Sequence, residues 1–347
     1  MSDGDKGSSG FHPGSDTGPQ SFAPAEMITC DECLRANPPT RTNCLYCGAI
    51  LPATGKEPNT QPLTKPIAET VESASVESGF YVVLAPGQGE ALSESSLTEA
   101  AVILDLKPAE VQTAVGSARP VPLARAATIE QATMMADRLV PLGIGVDIFS
   151  EDSLNLDSPI TRIRALEITD EGFSAVPLRG ERISMKWEDL ILVVTGRRLV
   201  KQVVVEERRR RSSAMPLDSR ELFSDELLMD LYTCSPDVHL RIYSNGFDFS
   251  CLGADKSITA VENFTKLLDL LGRRALNVEV DDTYRSLQAM LGSIWPLEAE
   301  TNKGEWRRSG VGKVDVSTVT TLDNENQFNG YSRLRQYVRR RELEKHR

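Results

Sequence analysis

Four closely spaced cysteines constrain this chain more than any other feature of its sequence. Cys30, Cys33, Cys44 and Cys47 follow the spacing C-x2-C-x10-C-x2-C. Two such pairs can surround one Zn²⁺ with a tetrahedron of thiolates, and four protein ligands leave no position for a substrate. A segment as short as residues 27–51 cannot bury a core, so the metal must supply its folding free energy, ~10–16 kcal/mol in such peptides. The sequence therefore predicts one structural Zn²⁺ and no catalytic metal.

Residues 27–51 resemble two families of zinc modules. They are similar to the single zinc ribbon of bacterial proteins. They are also similar to the Ran-binding-protein type zinc finger, whose pattern C-x2-C-x3-N-x6-C-x2-C is met with Asn37 at the asparagine position. That finger usually has tryptophan where Ile28 stands. Its ubiquitin-binding branch has Thr-Phe where this chain has Leu34 and Arg35, so the resemblance does not imply ubiquitin binding.

The RNA-binding branch of the same finger family uses arginines and an aromatic residue. Arg35, Arg41 and Tyr46 would take those parts here. A ribbon that docks a protein partner and a finger that binds RNA are therefore both open interpretations of the module.

Composition divides the rest of the chain into segments. Stretches rich in Gly, Ser, Pro and Thr cannot bury enough apolar surface to order themselves, whereas periodic apolar patterns indicate folded units. The predicted segments are a disordered lead 1–26, the zinc module 27–51, a flexible linker 52–78, a first folded unit 80–150, a second folded unit 160–296 and a polar tail 297–347 that ends in a basic helix. The predicted fold class is multi-domain α+β.

The first folded unit has the predicted element order β-α-α-β-α-β. Pro108 suits a helix N-terminus and Thr128 suits an N-cap, which fixes the start of two of the helices. The order, and phrases such as AEVQTAVGSARPVPLARAATIEQATMMADRLVPLGIGVDI, resemble the C-terminal domain of the bacterial ribosomal stalk protein. That family has a glycine- and lysine-rich turn that contacts translation factors. Only Lys107 stands in the matching region here, so factor binding is not implied.

The second folded unit is predicted to contain about seven strands followed by one helix. The helix, Ile258 to Arg273, places Ile258, Val261, Phe264, Leu267, Leu268 and Leu271 on one face. This layout, and the phrase GFSAVPLRGERISMKWEDLILVVTG, resemble bacterial pleckstrin-homology-like barrels with a capping helix.

Two basic stretches stand out against the formal net charge of −11. Arg208, Arg209, Arg210 and Arg211 are predicted to lie in a polar loop. There they would be either a patch for phosphate or acidic lipid, or simply a solvated loop. The segment Tyr331 to Arg347 holds seven Arg or Lys against two Glu. Its helix is open to three interpretations: a solvated tail, a partner helix, or a contact for nucleic acid or membrane.

No catalytic constellation is predicted. Cys234 and Cys251 are expected in the core, and His239 has no nucleophile or carboxylate at triad spacing. The start of the chain lacks the pattern of a secretory signal, and paired C-x2-C motifs suit a reducing compartment, so the expected location is cytoplasmic. The sequence therefore predicts a zinc-binding adaptor that acts through a protein partner and has no small-molecule substrate. The alternatives are a factor associated with nucleic acid or ribosomes and, third, a membrane-surface protein.

Overall fold

The computed structural model describes residues 27–29, 36–37, 51, 79–87, 92–210, 213–235, 238–310 and 313–345, with side chains described outside 208–218 and 303–316. It divides into two units, Met1–Gln61 and Pro62–Arg347. In the first unit, strands β1 (Ile28–Thr29) and β2 (Ala36–Asn37) pair antiparallel. Among the described residues, no helix is both long enough and apolar enough to cross a bilayer.

The second unit begins with a small sheet covered by helices. Its elements in chain order are β3 (Phe80–Leu84), α1 (Glu94–Leu104), α2 (Pro108–Gly116), β4 (Pro122–Ala126), α3 (Ile129–Leu139) and β5 (Val146–Ser150). The strand order is β4-β3-β5, and both pairings are antiparallel. Helix α3 starts where Thr128 accepts a hydrogen bond from the Gln131 amide, and α2 has Pro108 at its first position. The capping residues of the sequence therefore mark these helix starts.

A nine-stranded sheet forms the rest of the second unit. Its strands are β6 (Thr161–Ile168), β7 (Gly172–Pro177), β8 (Ile183–Lys186), β9 (Leu190–Arg210), β10 (Ser213–Thr233), β11 (His239–Tyr243), β12 (Glu279–Asp281), β13 (Glu298–Gly310) and β14 (Lys313–Asp323). The helices are α4 (Ala260–Arg274), α5 (Tyr284–Leu291) and α6 (Glu325–Lys345). The strand order is β13-β14-β9-β10-β11-β6-β7-β8, with β12 beside β9. The mixed α+β class is confirmed, with a large curled sheet.

Strands β9 and β10 contribute side chains to two hydrophobic cores, one on each face of the sheet. On one face, Leu190 and Met229 join a core with α4. On the other, Leu192 and Tyr232 join a core that also holds α5, α6 and the small sheet. The small sheet and the large sheet therefore share one core. Of the face predicted for α4, Ile258 is exposed because the helix begins only at Ala260, and Val261 in the first turn is exposed as well.

Beyond residue 199, the long strands leave both cores. From there, β9 and β10 pair only with each other and with the β13–β14 hairpin. We call this four-stranded extension, residues 199–226 with 298–323, the arm. The prediction of a polar loop at 208–219 is wrong, since 208–210 end β9 and β10 starts at Ser213. Pairing with β14, more than 100 residues away in sequence, supplies the backbone partners that local patterning could not reveal.

The prediction of a polar tail over 297–347 is also wrong for the described residues. Residues 298–323 form a hairpin of the large sheet, and α6 is a core helix. Its apolar side chains Phe328, Tyr331, Leu334 and Val338 are all buried. These apolar side chains form a narrow row on one face of α6, and arginines lie on either side of it. The helix therefore has the composition of one that is exposed to solvent. Acidic side chains of β12 pair with two of those arginines, Arg335 and Arg339.

Gly330 allows α6 to approach a rigid ring. A Cβ built there would lie 2.4 Å from Cε2 of Trp295. We expect Gly330→Ala to lower the free energy of unfolding by ~1–3 kcal/mol through overpacking, despite the better helix propensity of alanine. Gly272→Ala, inside α4 with its nearest neighbour at 3.8 Å, is the matched control and should be neutral or stabilising. Urea denaturation of both variants measures the difference, and equal midpoints would contradict the close approach.

Candidate functional site

The structure describes only the flanks of the predicted zinc site. Cys30, Cys33, Cys44 and Cys47 lie outside the described residues, as do Arg35, Arg41 and Tyr46. The described flanks place Ile28 opposite Asn37 and Thr29 opposite Ala36. The six residues between these strands in the sequence include Cys30 and Cys33 but lie outside the described part of the chain. Four thiols in the segment suit tetrahedral Zn²⁺.

The second unit contains an open cleft of about 800 Å³. The turn before β4, the segment that leads into β12 and the last turns of α6 form its walls. The lining residues are Pro86, Ala118, Arg119, Pro120, Glu188, Ile191, Cys234, Leu276, Asn277, Val278, Glu279, Arg339, Glu342 and Leu343. Leu276 is 91% exposed, which is unusual for a leucine and leaves an apolar group open to a ligand. Cys234 is exposed as well, so its predicted place in the core is wrong.

Two arginines of the cleft are paired with the same carboxylate. Arg119 follows Ala118, whose φ of +50° costs an L-residue ~1–2 kcal/mol. The Arg119 guanidinium donates to Glu279 and, at 3.2 Å, to the carbonyl of Val280. Arg339 lies 3.5 Å from the other oxygen of Glu279. Arg339 also lies 3.5 Å from Glu342, so both arginines of the cleft have carboxylate partners, and the cleft offers mixed apolar and ionic contacts.

Behind the cleft, α6 is fixed to β12 by a buried ion pair. Arg335 is 1% exposed and donates to both Glu279 and Asp281. Asp281 also accepts from the amide and hydroxyl of Thr283 and from the Tyr331 hydroxyl at 2.9 Å. The arginine and these donors outweigh burial and hold the pKa of Asp281 below its usual range. This carboxylate is therefore a fixed charge rather than a proton donor at neutral pH.

A second buried network joins α6 to β10 and β11. Arg241, fully buried, donates to both oxygens of Asp230 at 2.6 and 2.7 Å. Ser332 of α6 donates to the same carboxylate at 2.6 Å, and Glu325 accepts from Arg241 at 3.1 Å. Arg241 and His239 hold the pKa of Asp230 well below its usual range in spite of complete burial. Like the first network, this one ties α6 into the fold.

Little in the sequence indicates these networks. Asp281 stands next to a second acid, Asp282, and the arginines of α6 are compatible with a solvated tail, a partner helix, or a contact for nucleic acid or membrane. Arg333 and Arg335 are in fact buried. Such partners are separated by 50 to 100 residues, so only the sheet register brings them together.

The remaining predicted residues have separate positions. Arg208, Arg209 and Arg210 end β9 on the arm, and Arg211 lies outside the described residues. Cys251 is partly buried, and burial raises the pKa of its thiol to about 11, so it is a protonated thiol at neutral pH. Among the described residues, no group of three or more His, Cys, Asp or Glu could hold a metal ion.

Comparison with known proteins assigns no family. No family model matches the chain, and no curated protein or solved structure matches it either.

His239 makes the fold sensitive to acid. Its imidazole stacks on Tyr232 with ring centroids 4.4 Å apart, and burial lowers its pKa although Asp230 lies 2.9 Å away. The unfolded chain therefore binds the proton more readily, so stability is intact above the unfolded pKa of about 6.5 and declines below it.

We expect the free energy of unfolding to lose up to ~1.4 kcal/mol per pH unit below that point through this group alone. Urea denaturation from pH 8 to pH 5, wild type against His239→Phe, isolates this contribution. Parallel pH profiles for the two proteins would show that His239 titrates normally.

Proposed function

We propose that this chain is a non-catalytic, zinc-dependent adaptor that docks a protein partner in the cytoplasm. The observation that carries the proposal is the four-cysteine spacing of residues 30–47. The pairing of Thr29 with Ala36 supports it, because that pairing brackets the first cysteine pair. A zinc-stapled module presents a rigid surface for docking, since the metal rather than a core supplies its folding free energy.

The cleft of the second unit would provide a second contact. Leu276 offers an exposed aliphatic side chain, and Arg339 and Glu342 offer charges of both signs at its rim. Apolar contact flanked by polar groups is the usual composition of a protein interface. Two weak sites on one chain gain avidity when a partner engages both.

We also propose the finer architecture that the two resemblances imply. Strands β6 to β11 with α4 would form a pleckstrin-homology-like barrel, and β3 to β5 with α1 to α3 a unit like the ribosomal stalk domain. Six strands followed by one helix support the first, together with the packing of Phe264, Leu267 and Leu271 into the core. The order β-α-α-β-α-β supports the second. Because one fold serves many functions, neither resemblance identifies a ligand.

Metal analysis tests the zinc site directly. We expect the purified full chain, with its thiols reduced, to contain about one equivalent of zinc. Cys44→Ser should abolish this, because three thiolates no longer close the tetrahedron. Cys234→Ser, which removes an exposed thiol of the second unit, is the matched control and should retain the zinc. Less than about half an equivalent in the wild type would refute the site.

Partner capture tests the adaptor role. The wild type, Cys44→Ser and Cys234→Ser serve as baits in quantitative pull-downs from the native lysate. We expect a set of proteins that the wild type and Cys234→Ser capture and that Cys44→Ser loses. Identical captures by all three baits would show that the zinc module docks nothing.

The nucleic-acid alternative loses part of the basic helix as a binding surface. Arg333 and Arg335 of α6 are buried, which removes them as phosphate contacts. Arg35, Arg41 and Tyr46 are the groups that the zinc module offers for this role. Fluorescence anisotropy with a labelled single-stranded RNA at low ionic strength tests them, because phosphate contacts are strongest there. Binding that Cys44→Ser abolishes would favour this alternative over protein docking.

A further inference from the structure

The register of the arm brings together two basic stretches that lie about 100 residues apart. Arg209 of β9 pairs with Val314 of β14, which pairs with Arg308 of β13. In the next row, Arg208 and Arg307 flank Asp315. The last described pair of β9 and β10, Arg210 with Ser213, and that of β13 and β14, Gly310 with Lys313, therefore lie at the same end of the arm.

This end of the arm is strongly basic in an acidic protein. The described residues 208–210, 213–215, 307–310 and 313–315 include six basic residues and one acidic residue, whereas the whole chain has a net charge of −11. Residues paired in one row of a sheet share a face, and successive rows alternate. The Arg209–Arg308 row and the Arg208–Arg307 row therefore occupy opposite faces, and basic positions surround the end of the arm.

The length of the arm separates these charges from the acidic body. Residues 200–210 extend ~35 Å at ~3.3 Å per residue. The Debye length at physiological ionic strength is ~8 Å, so the field of the body is screened at that distance. At the base of the arm, by contrast, cations are neutralised within the fold: Arg197 by Asp225 and Arg198 by Asp323. The end of the arm therefore acts as an independent basic surface.

We propose that the end of the arm binds the surface of an acidic phospholipid bilayer. When the end of the arm contacts a flat bilayer, basic residues on both faces of the sheet can reach the headgroups. A nucleic-acid strand, by contrast, binds along one groove or one stacking face of a protein. Two apolar residues suited to the bilayer interface, Met215 and Val314, share these rows, and Val316 pairs with Trp306 in the adjacent row, which also contains Glu207. Basic residues near an anionic leaflet and interfacial tryptophan act together in such binding. This site is independent of the zinc module, since Cys44→Ser keeps the arm.

Vesicle sedimentation tests the proposal. We expect the full chain to sediment with vesicles of phosphatidylserine and phosphatidylcholine at low salt and to be released at ~1 M salt. It should not sediment with vesicles of phosphatidylcholine alone. Arg209→Glu with Arg308→Glu should weaken binding by at least about 30-fold, the loss expected from removing two interfacial cations. Arg179→Glu with Arg182→Glu changes the charge equally in an exposed turn, and should alter binding less than two-fold.

Folding controls and a fluorescence measurement distinguish a loss of binding from a loss of structure. Circular dichroism and the thermal midpoint must agree between the two double variants, so that any loss of binding is not a loss of fold. Trp187 and Trp295 are already buried, so a blue shift of fluorescence on vesicle addition should be lost in Trp306→Phe. Failure to sediment with anionic vesicles at low salt, or equal losses in both double variants, overturns the proposal. Arm-dependent binding of RNA or duplex DNA without vesicle binding assigns the surface to nucleic acid instead.

Discussion

Asp230→Asn is expected to destabilise the fold by ~3–5 kcal/mol, because it removes the only fully buried counter-charge of the Arg241 guanidinium among the described residues and leaves the partly exposed Glu325 as its carboxylate partner. The side chains of Asp230 and Arg241 are inaccessible to solvent, and Ser332 and His239 contact the Asp230 carboxylate. Asparagine has nearly the same volume, so the loss reports charge rather than packing. A change of this size approaches the ~5–15 kcal/mol total stability of an ordinary domain.

Asp170→Asn is the matched control for this substitution. Asp170 pairs with Arg274 at 3.0 Å, but its side chain is 95% exposed. An exposed pair contributes ~0–1 kcal/mol, so the control should unfold close to the wild type. Urea denaturation of both variants at neutral pH compares them. A loss below ~1 kcal/mol for Asp230→Asn would mean that water reaches Arg241 in solution.

Removal of residues 297–347 is expected to abolish cooperative folding of the second unit. The deletion takes away the β13–β14 hairpin and α6, with Phe328, Tyr331, Leu334 and Val338. Burial of each such side chain contributes ~1.5–3 kcal/mol, so the four together rival the stability of the whole domain. The deletion also removes the α6 partners of two buried groups, Glu325 from Arg241 and Arg335 from Asp281.

Deletion of residues 1–51 removes the same number of residues and serves as the control. These residues belong to the first unit, so the thermal midpoint of the second unit should be unchanged. Calorimetry on both truncated chains measures the contrast. A cooperative transition that survives removal of residues 297–347 would show that the second unit folds without β13, β14 and α6.

Local signals in the sequence were sufficient for several elements. Thr128 and Pro108 marked helix starts, and periods of two and 3.6 located the small sheet and α4. The α+β class followed from the same patterns. The zinc ligands remain a prediction, because the structure does not describe them.

The arm and α6 could not be predicted in this way, for a physical reason. Strand β14 mixes Val with Thr, Ser and Asp and has few large apolar residues, and its partner β9 lies more than 100 residues earlier. Helix α6 carries six of the seven Arg and Lys residues of Tyr331 to Arg347, and composition alone assigns such a segment to solvent. Glu279 and Asp281 pair with Arg335 and Arg339, but nothing local in the sequence indicates these partners.

Long-range closure has a consequence for synthesis of the protein on the ribosome. Tyr81 accepts a hydrogen bond from Trp295, 214 residues later, and α6 completes the core that the small sheet begins. A nascent chain therefore exposes the surfaces that α6 covers until α6 has left the exit tunnel. Long-lived exposure of this kind favours association with chaperones and aggregation. Slow elongation before α6 emerges would lengthen that exposure without changing a single native contact.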